Sequence, residues 1–210
     1  LIALGSDDLN ALGSDQIAAL TSNQIGALSS SQIGNLATED FAILSTTQLR
    51  GIEAVDFGAL TPNHLAVLNS AQIGALTSSQ LATLDSADVA AILTSALPGL
   101  SAAQVAALST AQLAAMSSEQ LQTLNSAQLA GLTSTQMAGL ATDDLNALTT
   151  AQFAALSTRQ IAGLSTHQLA NMESADLAAL NTAQMRAIQP ASLAALDSAD
   201  FAAFTYTQIG

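Results

Sequence analysis

An apolar residue returns every eight positions along this chain without one insertion. With the first octad position set at Gly5, four residues precede 25 complete octads and six follow. Position 8 is apolar in every octad from Leu12 to Phe204, and position 5 is apolar from Leu9 to Ile209. Positions 6 and 7 are mostly Ala or Gly. Position 4 is Gln in 16 of 26 octads and Asp in seven more, while position 1 is usually Ser, Thr, Asn, Asp or Glu. So strict a period requires one local structure repeated throughout, whatever that structure is.

Three features identify it. Ser or Thr at position 1 with Gln at position 4 is a capping box, in which the N-cap side chain and the side chain three residues on each bind the other's backbone N–H. Proline stands at position 2 in Thr61-Pro62 and Gln189-Pro190, the first helical position, where its missing N–H costs nothing. The apolar residue closing one octad and the position-5 residue of the next, as Leu20 and Ile25, have the spacing of a hydrophobic staple. A single continuous helix is excluded, because eight residues at about 100° each advance the apolar stripe by about 80° per octad and no face stays buried. The expected fold is therefore an all-α solenoid of very short capped helices, one per octad. A β-solenoid is the alternative, suited by Ser/Thr ladders and a short period but opposed by Ala-Ala, Gln and Met between the apolar residues.

Such helices are too short to stand alone, since nucleation is not recovered over so few hydrogen bonds. Positions 5 and 8 share a face and turn inward, and Ala or Gly at 6 and 7 lets neighbours approach, giving a right-angled or triangular coil. Aromatic residues make up only 3% of the chain, so its core consists of many small contacts. The period does not fix the number of octads per turn. One continuous array is expected over residues 1–210. Its unfinished last octad, with no initiator Met and no signal-like segment at Leu1, suggests a piece of a longer array.

The departures from the repeat are ordered. All seven Asp octads (Asp8, Asp40, Asp56, Asp88, Asp144, Asp176, Asp200) lack Ser, Thr or Asn at position 1, whereas 15 of the 16 Gln octads have one there. Positions 1 and 4 therefore touch. Four octads pair two acids: Glu53/Asp56, Asp85/Asp88, Glu173/Asp176 and Asp197/Asp200. Acids suit a first helical turn, near its free amides; the alternative is that these carboxylates gather calcium, which takes several oxygen ligands. Residues 93–100 lack the Gln and place Pro98 where a helix would run, predicting an irregular corner. Asn69, Asn125 and Asn181 open Asn-x-Ala-Gln octads 56 residues apart, and Asp88, Asp144 and Asp200 keep the same interval.

Chemistry finds little support. His64 and His167 lie in distant octads without a metal-ligand spacing, and read as surface or capping residues. The hydroxyls are repeat caps and form no nucleophile motif, and no glycine-rich phosphate loop occurs. No enzyme activity and no cofactor are expected. With 16 acids, three arginines (Arg50, Arg159, Arg186) and no lysine, the net charge is −13, which argues against nucleic-acid partners. The arginines are expected to pair with nearby acids. Polar residues in every octad interrupt the apolar runs before a membrane span is reached.

Octads such as Leu-Thr-Ser-Asn-Gln-Ile-Gly-Ala-Leu (20–28) and Leu-Asn-Ser-Ala-Gln-Leu-Ala-Gly-Leu (124–132) resemble the octapeptide arrays of large bacterial secreted and surface proteins of the adhesin or repeats-in-toxin type. The resemblance implies an extracellular or cell-surface stalk, spacer or filament segment that associates with itself end to end or laterally. Position-2 hydroxyls repeating in register raise the alternative of a binding module for ice, glycans or a surface.

Overall fold

A computed structural model describes residues 3–209 of the chain. Among these residues lie 25 α-helices of four to six residues and one 3-10 turn, and no strand. The helical solenoid holds and the β-solenoid does not. Each helix begins at position 2, from Ser6–Asn10 to Tyr206–Ile209, and the N-cap before it is extended, as at Gly5 and Asp197.

Regular octads share one conformational formula. In Thr77–Leu84 the N-cap Thr77 is extended (φ −78°, ψ 155°), residues Ser78–Thr83 are helical, and Leu84 is extended again (φ −65°, ψ 143°). Two extended residues, positions 8 and 1, thus make the corner between successive helices. Among the described residues none has a positive φ, glycines included. The helices therefore do not end in the left-handed glycine cap that commonly supplies partners for terminal carbonyls. Those carbonyls need partners from elsewhere.

The chain forms two compact units, Leu1–Ala115 and Met116–Gly210. Within each, every helix packs on the helix three octads away: Ser22–Gly26 on Thr46–Gly51 in the first, Thr158–Ala162 on Thr182–Ala187 in the second. Three octads, 24 residues, complete a superhelical turn in each unit. Position-5 side chains such as Ile17, Leu81, Phe153 and Ile161 are fully buried, and position-8 residues such as Leu84 and Leu164 are nearly so. This aliphatic centre is what makes each short helix stable.

Small residues at positions 6 and 7 set the spacing of turns. Gly26 lies against the Gly51 backbone, and a Cβ on Gly51 would come within 2.6 Å of the Ser22 carbonyl oxygen. Gly74 and Gly99 meet in the same way two superhelical turns further along the same column, where a Cβ on Gly99 would fall on the Ser70 carbonyl. Gly99 belongs to the irregular octad. There Leu97–Gly99 forms the 3-10 turn in place of a helix, yet Leu97 and Leu100 still reach the core. Pro98 alters the local winding without interrupting the stack.

Candidate functional site

The polar residue at position 4 lies in the corner between superhelical turns, and nearly all the chain's specific polar chemistry is concentrated there. Gln80 is representative. Its Oε1 accepts from the Thr77 N–H (2.8 Å), and its own N–H donates to Thr77 Oγ1 (3.2 Å), which completes the capping box. Its Nε2 then donates to the carbonyls of Leu49 (2.8 Å) and Ile52 (2.9 Å). These are positions 5 and 8 of the octad four earlier, at the end of the helix Thr46–Gly51. One amide therefore caps the start of its own helix and the finish of another.

The arrangement recurs. In the first unit Gln48 reaches Ile17 and Leu20, and Gln112 reaches Leu81 and Leu84. In the second, Gln160 reaches Leu129 and Leu132, and Gln184 reaches Phe153 and Leu156. In these octads the terminal carbonyls left over by a short helix are met by an amide from another turn. Only a side chain with an acceptor and two donors in one plane meets all these demands, and the Gln amide has that inventory.

His64 fills the same place with a ring that offers one acceptor and one donor, enough for the cap and one of the two carbonyls. Its Nδ1 accepts from the Thr61 N–H (3.1 Å) and its Nε2 faces the Leu36 carbonyl (2.8 Å), so Nε2 carries the hydrogen. Phe41 packs edge-on against the ring, with centroids 5.1 Å apart. His64 is thus a capping residue, as its position implied, but it is buried, which corrects any reading of it as a surface residue. His167 is exposed and contacts Asn171.

Aspartate at position 4 is an acceptor only, and its neighbours change to match. Asp40, Asp56, Asp144 and Asp200 each accept from a serine at position 2 of the octad three earlier: Ser14 (3.2 Å), Ser30, Ser118 (3.0 Å) and Ser174 (2.9 Å). In two octads whose N-cap lacks a capping box, an asparagine takes over. Asn10 Oδ1 accepts from the Ala37 N–H (3.0 Å) while its Nδ2 donates to the Asn35 carbonyl (2.7 Å). Asn146 does the same for Glu173 (3.3 Å) and Asn171 (2.9 Å). Sequence reasoning missed these ties. The available signal was an Asn at position 6 standing 27 residues before each of these caps.

Two of the four acid pairs are joined by capping. Asp88 N–H donates to Asp85 Oδ1 (2.8 Å) and Asp85 N–H to Asp88 Oδ2 (3.1 Å); Asp197 and Asp200 repeat this. Glu53 and Glu173 make no side-chain cap, so Glu53/Asp56 and Glu173/Asp176 are neighbours without that exchange. Among the described residues no three of His, Asp and Glu converge as metal ligands. Two carboxyls are displaced from ordinary behaviour. Burial raises Asp88, outweighing the backbone hydrogen bond from Asp85 that lowers it, and burial with the Glu173 charge raises Asp176 to about 6. Asp88 Oδ1 is the one buried side-chain polar atom without a hydrogen-bond partner among the described residues.

Arg50 donates from Nε to the Ala75 carbonyl (2.8 Å), correcting the expectation that it pairs with an acid. Gln122 at the same octad position reaches the Ala147 carbonyl (2.7 Å). Position-2 hydroxyls also serve the stack. Beyond the serines bound by aspartates, Ser86 donates to the Ala111 carbonyl and Thr182 to that of Thr207. No helix among the described residues is long and apolar enough to cross a membrane.

Six successive stretches of the chain match the ALTTAQ repeat, at residues 1–38, 51–86, 81–118, 110–142, 137–173 and 169–206. The six letters themselves stand at Ala147-Leu148-Thr149-Thr150-Ala151-Gln152. No functionally curated protein matches the chain. Among solved structures, the leucine-rich repeat-containing protein LegL7 from Legionella pneumophila matches 95% of this chain and 69% of its own, at 14% identity and a TM-score of 0.21, a superposition too loose to carry a fold argument.

Proposed function

Because the chain belongs to the ALTTAQ repeat family, with the repeat matched along nearly its whole length, we propose that it is a structural element without catalytic activity: a stalk, spacer or filament-forming segment of a bacterial cell-surface or secreted adhesin. The observation that carries this reading is the Gln corner. Most of the side chains best suited to chemistry, the position-4 amides and carboxylates, are engaged in joining one superhelical turn to another, as in Gln80, Gln160 and Asp144. Position-2 hydroxyls such as Ser14, Ser118 and Ser174 are engaged in the same way, which favours a mechanical role over outward display for ligands. A stack built this way adds stability and length with each octad, as quasi-one-dimensional repeat proteins do.

End-to-end or lateral association of copies is part of this proposal. Negative-stain electron microscopy of the purified chain, with light scattering across a concentration series, tests it. Rods or filaments support the reading. A compact particle as broad as it is long, monomeric at every concentration, overturns it.

A further inference from the structure

Each buried aspartate at position 4 has a characteristic neighbour 26 residues earlier, and two of them lack its hydroxyl contact. Asp40 and Asp200 accept from Ser14 and Ser174. At the equivalent place before Asp88 stands Pro62, which has no donor, and Oδ1 of Asp88 is buried without a partner. Before Asp176 stands Thr150, and the forces on the buried Asp176 carboxyl are desolvation and the Glu173 charge, with no hydrogen bond to offset them. A buried acceptor oxygen without a donor is costly when the carboxyl is charged and much less so when it is neutral.

The other charges around the two sites do not neutralise them. The helix Ser86–Ala91 packs on Pro62–Ala66, which contributes His64, and on Thr110–Ala114, which contributes no titratable group; Asp85 lies at its own N-cap. The helix Ser174–Ala179 packs on Thr150–Ala155, which has none, and on Ser198–Ala203, which brings Asp200 with Asp197 before it; Glu173 is its own N-cap. His64 is held through Nδ1 and Nε2 by Thr61 and Leu36. The surroundings of Asp176 are acidic throughout.

We propose that Asp88 and Asp176 are proton-binding sites built into the stack, and that taking up a proton at each strengthens the packing of its superhelical turn. The two buried position-4 carboxyls that accept no hydroxyl hydrogen bond from the octad three earlier, Asp88 behind Pro62 with its Oδ1 unpartnered and Asp176 behind Thr150, are also the two whose affinity for a proton is raised. A carboxyl whose folded value lies above its unfolded one contributes stability that is complete below the unfolded value and is lost as pH rises through the folded value. For Asp176 that window runs from about 4 to about 6. The protein is therefore acid-strengthened at two defined places, a property independent of whether it serves as a stalk.

Thermal unfolding of the full chain at pH 7.5 and pH 5.0, followed by circular dichroism, tests the proposal. The midpoint of the unmodified chain should rise by about 4 °C at the lower pH. The D88N/D176N variant, whose amides imitate neutral carboxyls, should already be stabilised at pH 7.5 and lose most of that rise. D40N/D200N, at carboxylates that have their serine donors, should keep it. Retention of the full rise in D88N/D176N, or its absence in the unmodified chain, overturns the proposal. Should the double variant fail to fold, carboxyl-carbon NMR titration of the unmodified chain decides: Asp88 and Asp176 titrating with the other aspartates overturns it, and titrating above them supports it. P62S, which restores the hydroxyl, should bring Asp88 back toward the others.

Discussion

Replacing Gln80 with Met removes the amide but keeps a flexible chain of similar length in its place. The loss can be worked out contact by contact. The Thr77 N–H and the Ile52 carbonyl lose the partners they have through Gln80, at about 1–3 kcal/mol for each buried group left unsatisfied. The Leu49 carbonyl still accepts from the Ile52 N–H and loses less. Thr77 Oγ1 keeps the residue-80 N–H. The sum is about 3–5 kcal/mol. Gln24 is the control, since it is exposed and makes the cap alone, accepting from Thr21 N–H (2.8 Å). Q24M should cost about 1 kcal/mol, the ordinary value of a lost cap. Urea unfolding followed by circular dichroism gives both values, and hydrogen exchange at Thr77 locates the loss. Equal costs for Q80M and Q24M would refute the reasoning, because the arm reaching between turns would then contribute nothing.

Further predictions address the spacing, the ring substitute and the core. G51A, whose methyl would press on the Ser22 carbonyl, should destabilise by about 1–3 kcal/mol, while G58A, whose nearest neighbour lies at an ordinary 3.4 Å, should be neutral or stabilise by up to about 1 kcal/mol; urea midpoints of the two distinguish them. H64Q should fold with stability within about 1 kcal/mol of the parent, because Gln offers the same acceptor and donor, whereas H64L should lose about 3 kcal/mol by leaving the Thr61 N–H and Leu36 carbonyl unpaired. L113A, at a fully buried position 5, should cost about 2–5 kcal/mol by calorimetry or denaturant.

The helix starts were legible in the sequence because capping is local. Thr77 and Gln80 are three residues apart, and the types required at those two places leave few alternatives. The buried positions were legible for the same reason, as the octad puts Leu81 and Leu84 on one face. The pitch was not. Three octads per turn follows from how two extended residues, such as Leu84 and Asp85, aim successive helices, and no local pattern encodes that angle. The far arm of each Gln was hidden by the same gap, since a contact between Gln80 and Ile52 cannot be guessed before the turn length is known. The exchange between Asp and the position-1 residue was visible within single octads, yet its cause lay partly outside them, in Ser14, Asn10 and Asn146 on other turns. The acid pairs drew attention as calcium ligands through their composition, and in Asp85/Asp88 and Asp197/Asp200 reciprocal capping explains the pairing.

The central claim is that an octad helix exists only because octads three and four places away hold it. Synthetic arrays of three, six and nine consecutive octads, cut from the regular stretch beginning at Ser101, test it through helicity per residue measured by circular dichroism. The account predicts that three octads, which complete one turn but have none to pack on, are unfolded, and that helicity per residue climbs steeply at six and again at nine. Three octads as helical per residue as nine would contradict it, since the helices would then be stable without the stack.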